Sequence, residues 1–288
     1  AMLSVLYGGG ALLARELIVR WGQGVPSLLL LGAAYGIAEE GLMCKSFFDP
    51  DWMDVGLLGE YGRWLGVNWV WTFELTIYHE AFSILIPVTL VSLLYPDRRR
   101  DPWISRRGFA LLAILWFLNG GLIFFAVSAY RPSWSHLLVS SAAIVAICIL
   151  ARCWPVIAPV RQAKRAWRPR WLALVTFLAT LTFFVLSWAV PQSGVHPAIV
   201  VLSIALLTAG ATWFASSMSR RYGFSDRHRL ALASGALGFF ALVMAPIREW
   251  APDQPDNPRG MALVAFATLI FLLWVSRRVR ADAPDHPD

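Results

Sequence analysis

Charged side chains are scarce in this sequence. Only 15% of its residues are Asp, Glu, Lys or Arg, against about 25% in an ordinary soluble domain, while 58% are hydrophobic. A chain with so little charge cannot cover a globular surface in water, so a typical soluble domain is excluded and a polytopic membrane protein is favoured. The 15 tryptophans agree with this class, because Trp is enriched at membrane interfaces.

Paired cysteines, internal repeats and linkers are also missing. The three cysteines, Cys44, Cys148 and Cys153, lie in or beside apolar runs without paired spacing, so we expect neither a disulfide framework nor a zinc knuckle. The absence of a visible repeat weakens the case for a repeat-built transporter. Without a low-complexity linker, residues 1–288 are expected to form a single transmembrane helical domain.

Long apolar runs are what the sequence has in abundance. A membrane-crossing helix needs roughly 17–25 mostly apolar residues, and about nine runs qualify, which predicts an all-α polytopic integral membrane protein. The runs are 2–19, 26–48, 67–95, 108–130, 134–153, 171–190, 197–218, 229–249 and 260–277. The first lacks a basic leading region and a clear cleavage site, so we expect a span and not a signal peptide. Near its end, Arg15 is expected to extend towards the lipid headgroups.

The basic residues predict an orientation. Twenty of the 25 Lys and Arg lie in one set of alternate loops and five in the other. The positive-inside rule then places the N-terminus outside and the C-terminal tail, residues 281–288, in the cytoplasm of what we expect to be a prokaryotic plasma membrane. This alternation explains the net charge of +7 without nucleic acid. We expect the basic loop RQAKRAWRPR, residues 161–170, to meet an anionic cytoplasmic leaflet.

Two adjacent acids interrupt the second run. Glu39 and Glu40 lie about 12 Å from its outer end at 1.5 Å per residue, and a charge facing lipid at mid-membrane costs about 2.5–3.5 kcal/mol. They are therefore expected to face a polar interior, to pair with a cation or to be partly protonated. Gly32 and Gly36 precede Glu40 at intervals of four, which favours close approach of a neighbouring helix.

The third run offers a partner for these acids. One polar stripe at helical spacing follows it, bordered by Glu80 but not by Glu74; its members are Asn68, Thr72, Thr76, His79 and Ser83. We therefore predict that the helix pair 26–95 carries a polar site in the outer half of the membrane. The candidate catalytic residues are Glu39, Glu40 and His79, with Asn68, Thr72, Thr76, Glu80 and Lys45 as supporting polar groups.

Carboxylates and a histidine allow more than one chemistry. They are ligand types for a divalent metal, which Glu40 and His79 would hold in this chain, and they also form general-base sites that activate water. A hydrolase with a membrane-embedded or lipidic substrate is one hypothesis. The others are a proton- or cation-coupled carrier and a scaffold whose acids join two helices, with Lys45 or Arg63 neutralising a glutamate.

The pair Glu39–Glu40, followed by His79 on a later helix, resembles the Abi/CPBP group of intramembrane proteases, which includes the CAAX-prenyl endopeptidases, and the PrsW-type proteases. The resemblance implies an intramembrane protease with these three residues in its site. The sequence departs from the Abi pattern at Cys44, where an arginine is expected, with Lys45 one position later. Leu75 stands where the pattern has Phe, and neither His136 nor His196 begins a clean second histidine motif.

Overall fold

The computed structural model describes residues 2–156, 167–250 and 258–281. The described residues are 80% helical, which confirms the predicted all-α class. Seven helical segments in the described ranges are long and apolar enough to cross a membrane: Trp69–Leu94, Arg106–Ala126, Trp134–Cys153, Pro169–Ser193, Pro197–Tyr222, Asp226–Trp250 and Met261–Val279. Each overlaps one of the last seven predicted spans. Large apolar side chains such as Phe117 and Phe125 are exposed on them, as expected for helices solvated by lipid.

Several helices of the described chain combine α-helical and π-helical segments. Their bounds are a π segment Ser4–Gly9 followed by α1 (Gly10–Trp21); α2 (Val25–Gly36) followed by a π segment Ile37–Met43; α3 (Trp69–Tyr78), a π segment His79–Leu85 and α4 (Ile86–Leu94); α5 (Arg106–Ala126); α6 (Trp134–Cys153); α7 (Pro169–Phe184) followed by a π segment Val185–Ala189; α8 (Pro197–Tyr222); α9 (Asp226–Phe239), a π segment Phe240–Met244 and α10 (Ala245–Trp250); and α11 (Met261–Ala281). Short 3₁₀ turns cover Gly56–Gly59, Pro96–Arg98 and Val190–Ser193. The first two predicted spans are thus helical over residues 4–21 and 25–43, with Glu39 and Glu40 in a π segment. The second helix ends at Met43 and not at residue 48 as predicted, because Lys45 has a positive φ of 66°.

Side-chain caps fix where several helices begin. Asn68 accepts a hydrogen bond from the Trp71 amide at 3.0 Å and starts α3. Ser105 accepts one from the Gly108 amide at 3.1 Å and starts α5. Because the first amides of a helix have no intrahelical acceptor, such caps stabilise the helix start.

The chain divides into two compact units. Unit 1 comprises residues 1–88, 97–157 and 186–206. Within it α2 is central, since it packs against the π segment His79–Leu85 on one side and α6 on another. Unit 1 therefore contains both helices that carry the predicted polar residues.

A two-stranded hairpin precedes α3 in unit 1. Strand β1 (Arg63–Trp64) pairs antiparallel with β2 (Val67–Asn68). The turn residues Leu65 and Gly66 both have positive φ, 52° and 74°, the conformation that a tight two-residue hairpin turn demands. The hairpin delivers Asn68 to the start of α3.

Arg15 does not reach towards the surface as predicted, because it is buried in unit 1. Its guanidinium donates to Glu16 Oε1 at 2.6 Å and to the backbone carbonyls of Arg98 and Asp101 at 2.9 and 2.7 Å. It also lies 3.8 Å above the Trp103 ring. The carbonyl groups of a neighbouring loop thus replace the headgroups as its partners.

Unit 2 comprises residues 89–96, 158–185 and 207–288. Helix α7 packs tightly on α9, since a Cβ at Gly235 would lie 2.1 Å from the Ala173 carbonyl oxygen. Most of the predicted basic loop 161–170 and all but the first residue of the predicted tail 281–288 lie outside the described residues.

Candidate functional site

Glu39, Glu40 and His79 all lie in π-helical segments. The amide of Cys44 donates to the carbonyl of Glu39 at 2.7 Å, five residues back, which is the wide turn of a π-helix. His79 opens the second such segment. A π turn redirects the side chains after it, and such turns are frequent at functional sites.

Glycines bring the two segments into contact. A Cβ at Gly36 would lie 3.1 Å from both His79 Cβ and Thr76 Cα, and one at Gly32 would lie 2.8 Å from Glu80 Cα. Only a helix face without side chains allows two backbones to approach this closely. The Gly32–Gly36–Glu40 spacing therefore positions Glu40 against the helix that carries His79.

His79 lies between the two carboxylates. Its Nε2 is 3.0 Å from Glu40 Oε1, in a hydrogen bond, and its Nδ1 is 3.4 Å from Glu39 Oε2. The side chains are almost inaccessible, with exposed fractions of 1% for Glu39, 8% for Glu40 and 2% for His79. Among the described residues, Glu39 Oε2 has no hydrogen-bond partner.

A hydrogen-bonded chain extends from this cluster in both directions. The Trp71 indole donates to Ser46 Oγ at 3.0 Å, and the Ser46 hydroxyl donates to Glu40 Oε2 at 2.5 Å. At the other end, His79 Nδ1 is 2.9 Å from Ser83 Oγ. An indole can only donate and a carboxylate oxygen accepts, so both links of the Trp71–Ser46–Glu40 chain run towards Glu40.

Aromatic rings enclose the imidazole. Tyr7 stacks on His79 with centroids 6.3 Å apart and an interplanar angle of 18°. Tyr35 and Tyr78 meet the ring edge-on at 5.9 and 5.4 Å. This packing restricts the orientation of the imidazole and reduces access of water to it.

An open pocket of about 300 Å³ reaches the edge of the cluster at Ser83. Its other lining residues are Tyr7, Gly8, Ala11, Tyr78, Phe82 and Pro87. Apart from the hydroxyl groups of Ser83 and the two tyrosines, the lining side chains are apolar. The pocket can therefore receive an apolar group beside His79.

The predicted supporting residues have other contacts. Asn68 caps α3, and Thr72 donates back to the Asn68 carbonyl at 2.6 Å. The backbones of Thr76 and Glu80 form the surface on which Gly36 and Gly32 pack. None of these four contributes a side-chain hydrogen bond to the cluster among the contacts of the described residues.

Lys45 faces away from the two glutamates. Its ammonium donates to the carbonyls of Phe124 and Ser128 at 2.6 and 2.7 Å, at the end of α5. The positive φ of Lys45, 66°, turns the chain in that direction. Arg63 likewise donates to the carbonyls of Gly59 and Phe48, so the predicted neutralisation of a glutamate by either cation is not found.

Sequence reasoning assigned no role in the site to Ser46, Trp71 or Ser83. The sequence does contain a feature that indicates Ser83, since it lies four residues after His79 in the polar stripe. Ser46 and Trp71 have no such feature, because their contact joins the chain beyond the π segment Ile37–Met43 to the first turn of α3. Only the tertiary structure shows that contact.

The cluster also meets a geometric requirement for holding a cation. One oxygen of Glu39, one of Glu40 and one nitrogen of His79 all lie within 4.8 Å of one another. Carboxylate oxygens and imidazole nitrogens are ordinary zinc ligands. Both nitrogens of His79 are already hydrogen-bonded, so an ion bound through His79 would replace one of those bonds.

Comparison with known proteins gives a family for the whole chain. Residues 1–288 match the family described as "Uncharacterized membrane protein family". The chain belongs to this family. The membrane-length helices agree with the family description, which confirms the prediction of a multi-pass membrane protein. None of the curated proteins and none of the solved structures matches this family member.

Proposed function

We propose that this protein is an intramembrane hydrolase that cleaves an amide or ester bond of a membrane-embedded substrate. The observation that supports it most is the buried hydrogen bond between Glu40 and His79 Nε2, 3.0 Å long. A carboxylate on one nitrogen orients an imidazole and stabilises the charge that the ring acquires when it takes a proton. In the proposal His79 is the general base that activates water, and Glu40 positions it.

Glu39 strengthens the same chemistry. Its Oε2 lies 3.4 Å from His79 Nδ1 and is buried without a hydrogen-bond donor among the described residues. A second carboxylate beside the ring favours the protonated imidazolium that forms during proton transfer. Glu39 is therefore assigned to electrostatic stabilisation of the developing charge.

The cost of burying these groups favours a chemical role. Even a protonated histidine can balance only one of the two carboxylates beside it. Buried charges are retained mainly where they are paired or functional. Lys45 and Arg63 donate to backbone carbonyls, so neither cation neutralises the two glutamates. The resemblance of the Glu-Glu pair and His79 to Abi/CPBP and PrsW-type proteases points to the same reaction class.

The experiment is a cleavage assay in proteoliposomes. Membrane-embedded reporters, both transmembrane peptides and acyl esters, carry a quenched fluorophore that cleavage releases. Wild type is expected to cleave at least one of them, and Glu40→Gln to lower the rate about 10²–10⁴-fold, because glutamine retains hydrogen bonding without the charge.

Glu74→Gln is the matched control. Glu74 is also a buried glutamate, 2% exposed, but its carboxylate accepts from the Trp188 indole and it lies outside the cluster. Its substitution should leave the rate unchanged. The proposal fails if wild type cleaves none of the reporters or if Glu40→Gln is as active as wild type.

A metal-dependent form of the hydrolase is the second candidate. The observation that favours it is the clustering of three ligand atoms within 4.8 Å. In that case Glu40 and His79, with Glu39, would hold one divalent cation, which would polarise the attacking water. A strong chelator added to the same assay separates the forms: it abolishes a metal-dependent reaction and leaves the histidine-based reaction unchanged.

A further inference from the structure

Ser83 is a polar residue that both contacts the buried cluster by a hydrogen bond and lines the open pocket. Its Oγ lies 2.9 Å from His79 Nδ1, and Ser83 itself lines the pocket, whereas Glu39, Glu40 and His79 do not. Ser83 is half-buried, while these three are buried. A group bound in the pocket would therefore meet the hydroxyl of Ser83 before it met the imidazole.

The Ser83 hydroxyl has a different kind of hydrogen-bond partner from several other hydroxyl groups in the membrane-length helices. Ser and Thr in such helices commonly donate to the carbonyl four residues back. Thr176, Thr180 and Thr268 do so here, to Leu172, Thr176 and Val264, at 2.8–2.9 Å. Ser83 also has its partner four residues back, but that partner is the imidazole of His79.

The hydrogen bonds define a role for each of Glu40, His79 and Ser83. In the tautomer of neutral His79 that donates Nε2–H to the Glu40 carboxylate, Nδ1 carries the lone pair and accepts from the Ser83 hydroxyl. An acid that orients an imidazole, which in turn faces a hydroxyl, is the arrangement that activates a serine nucleophile. The two nitrogens exchange the positions that they have in chymotrypsin-like enzymes, but the order acid–histidine–hydroxyl is the same.

We propose that Ser83 is the nucleophile of a Ser83–His79–Glu40 triad, a step that rests on the proposed hydrolase function. Ser83 Oγ attacks the acyl carbon of an ester or amide, and its proton passes to His79 Nδ1. The bond from the acyl carbon to the leaving oxygen or nitrogen breaks, and His79 returns the proton to the leaving group. Water activated by His79 then cleaves the acyl-serine ester, and Ser83 regains its proton.

The pocket indicates the class of acyl group. It is lined mainly by apolar and aromatic side chains, and a Cβ built on Gly8 meets no atom within 4 Å. Such a site suits an acyl group whose chain is apolar, since burial of apolar surface would supply most of the binding.

The test combines covalent labelling with hydrolysis. The full-length protein in proteoliposomes is treated with a fluorophosphonate probe, which modifies activated serines, and the adduct is located by mass spectrometry. Wild type is expected to carry the adduct on Ser83. Ser83→Ala should carry none there and should lose hydrolysis about 10³-fold or more.

Ser203→Ala serves as the control, because Ser203 lies on α8 and does not line the pocket. It should be labelled and active like wild type. Tryptophan fluorescence during heating checks that both variants remain folded. Full hydrolysis by Ser83→Ala, together with an inactive Glu40→Gln, would overturn the role of Ser83 and leave the hydrolase proposal standing. If wild type hydrolyses nothing, both are overturned.

Discussion

Replacing His79 with alanine is expected to lower the rate of reporter hydrolysis about 10²–10⁴-fold, the usual contribution of a positioned general base. The substitution removes the ring that joins Glu40 to Ser83 and leaves both without their imidazole partner. The rate is measured in proteoliposomes under conditions in which wild type is active.

Added imidazole should restore part of the activity of His79→Ala. The substitution leaves a space of the size of an imidazole ring between Tyr7 and Tyr35, beside the Glu40 carboxylate. A free imidazole bound there can accept a proton as the side chain does. A purely structural role for His79 would not produce a rate that rises with imidazole concentration.

His136→Ala is the matched histidine control. The ring of His136 stacks on Phe48 at 4.6 Å, and its Nε2 hydrogen-bonds the Leu65 carbonyl; both partners lie outside the cluster. Its loss should leave the rate nearly unchanged and should not respond to imidazole. If both histidine variants lost activity equally, the assignment of His79 as base would be wrong.

Gly36→Leu is expected to have the second large effect, on both stability and activity. Even a Cβ at this position would lie 3.1 Å from His79 Cβ and Thr76 Cα, and the latter is a backbone atom that cannot rotate away. Overpacking of this kind costs about 1–3 kcal/mol of unfolding free energy. Because the strain separates α2 from the His79 segment, the Glu40–His79 hydrogen bond should lengthen and activity should fall.

Gly121→Leu provides the comparison. Gly121 lies on α5 within another membrane-length helix, and a Cβ there meets nothing within 4 Å. It adds the same isobutyl group without a collision. Thermal unfolding in detergent should show a lowered midpoint for Gly36→Leu only. Equal midpoints for the two variants would contradict the close approach at Gly36.

The sequence alone was sufficient to predict that Glu39, Glu40 and His79 lie near one another. Adjacent acids in an apolar run need a protein-facing environment, the four-residue spacing of Gly32 and Gly36 indicates the close face, and the polar stripe indicates the opposite helix. These arguments need only local periodicity, so they can be made without coordinates. The structure places His79 3.4 Å from Glu39 and 3.0 Å from Glu40.

Contacts that depend on irregular backbone could not be predicted in this way. Predicting which side chains share a helix face from a rotation of 100° per residue assumes a regular α-helix. The π segments Ile37–Met43 and His79–Leu85 do not meet that assumption. Lys45 appeared near the acids in sequence, but its left-handed conformation directs it to the end of α5. Arg15 is similar, because two of its acceptors, the carbonyls of Arg98 and Asp101, lie more than eighty residues away.

The central claim is that the glutamates serve chemistry and do not merely hold two helices together. The unfolding free energy of the double variant Glu39→Gln/Glu40→Gln, measured against wild type in detergent, tests it most directly. Glutamine can keep the hydrogen bonds to Ser46 and His79 while removing two like charges from a buried site. The account predicts a protein that is as stable as wild type or more stable, since active-site residues often cost stability. A loss of about 3–5 kcal/mol, as when a buried ion pair is broken, would contradict it and would identify the cluster as a structural link between two helices.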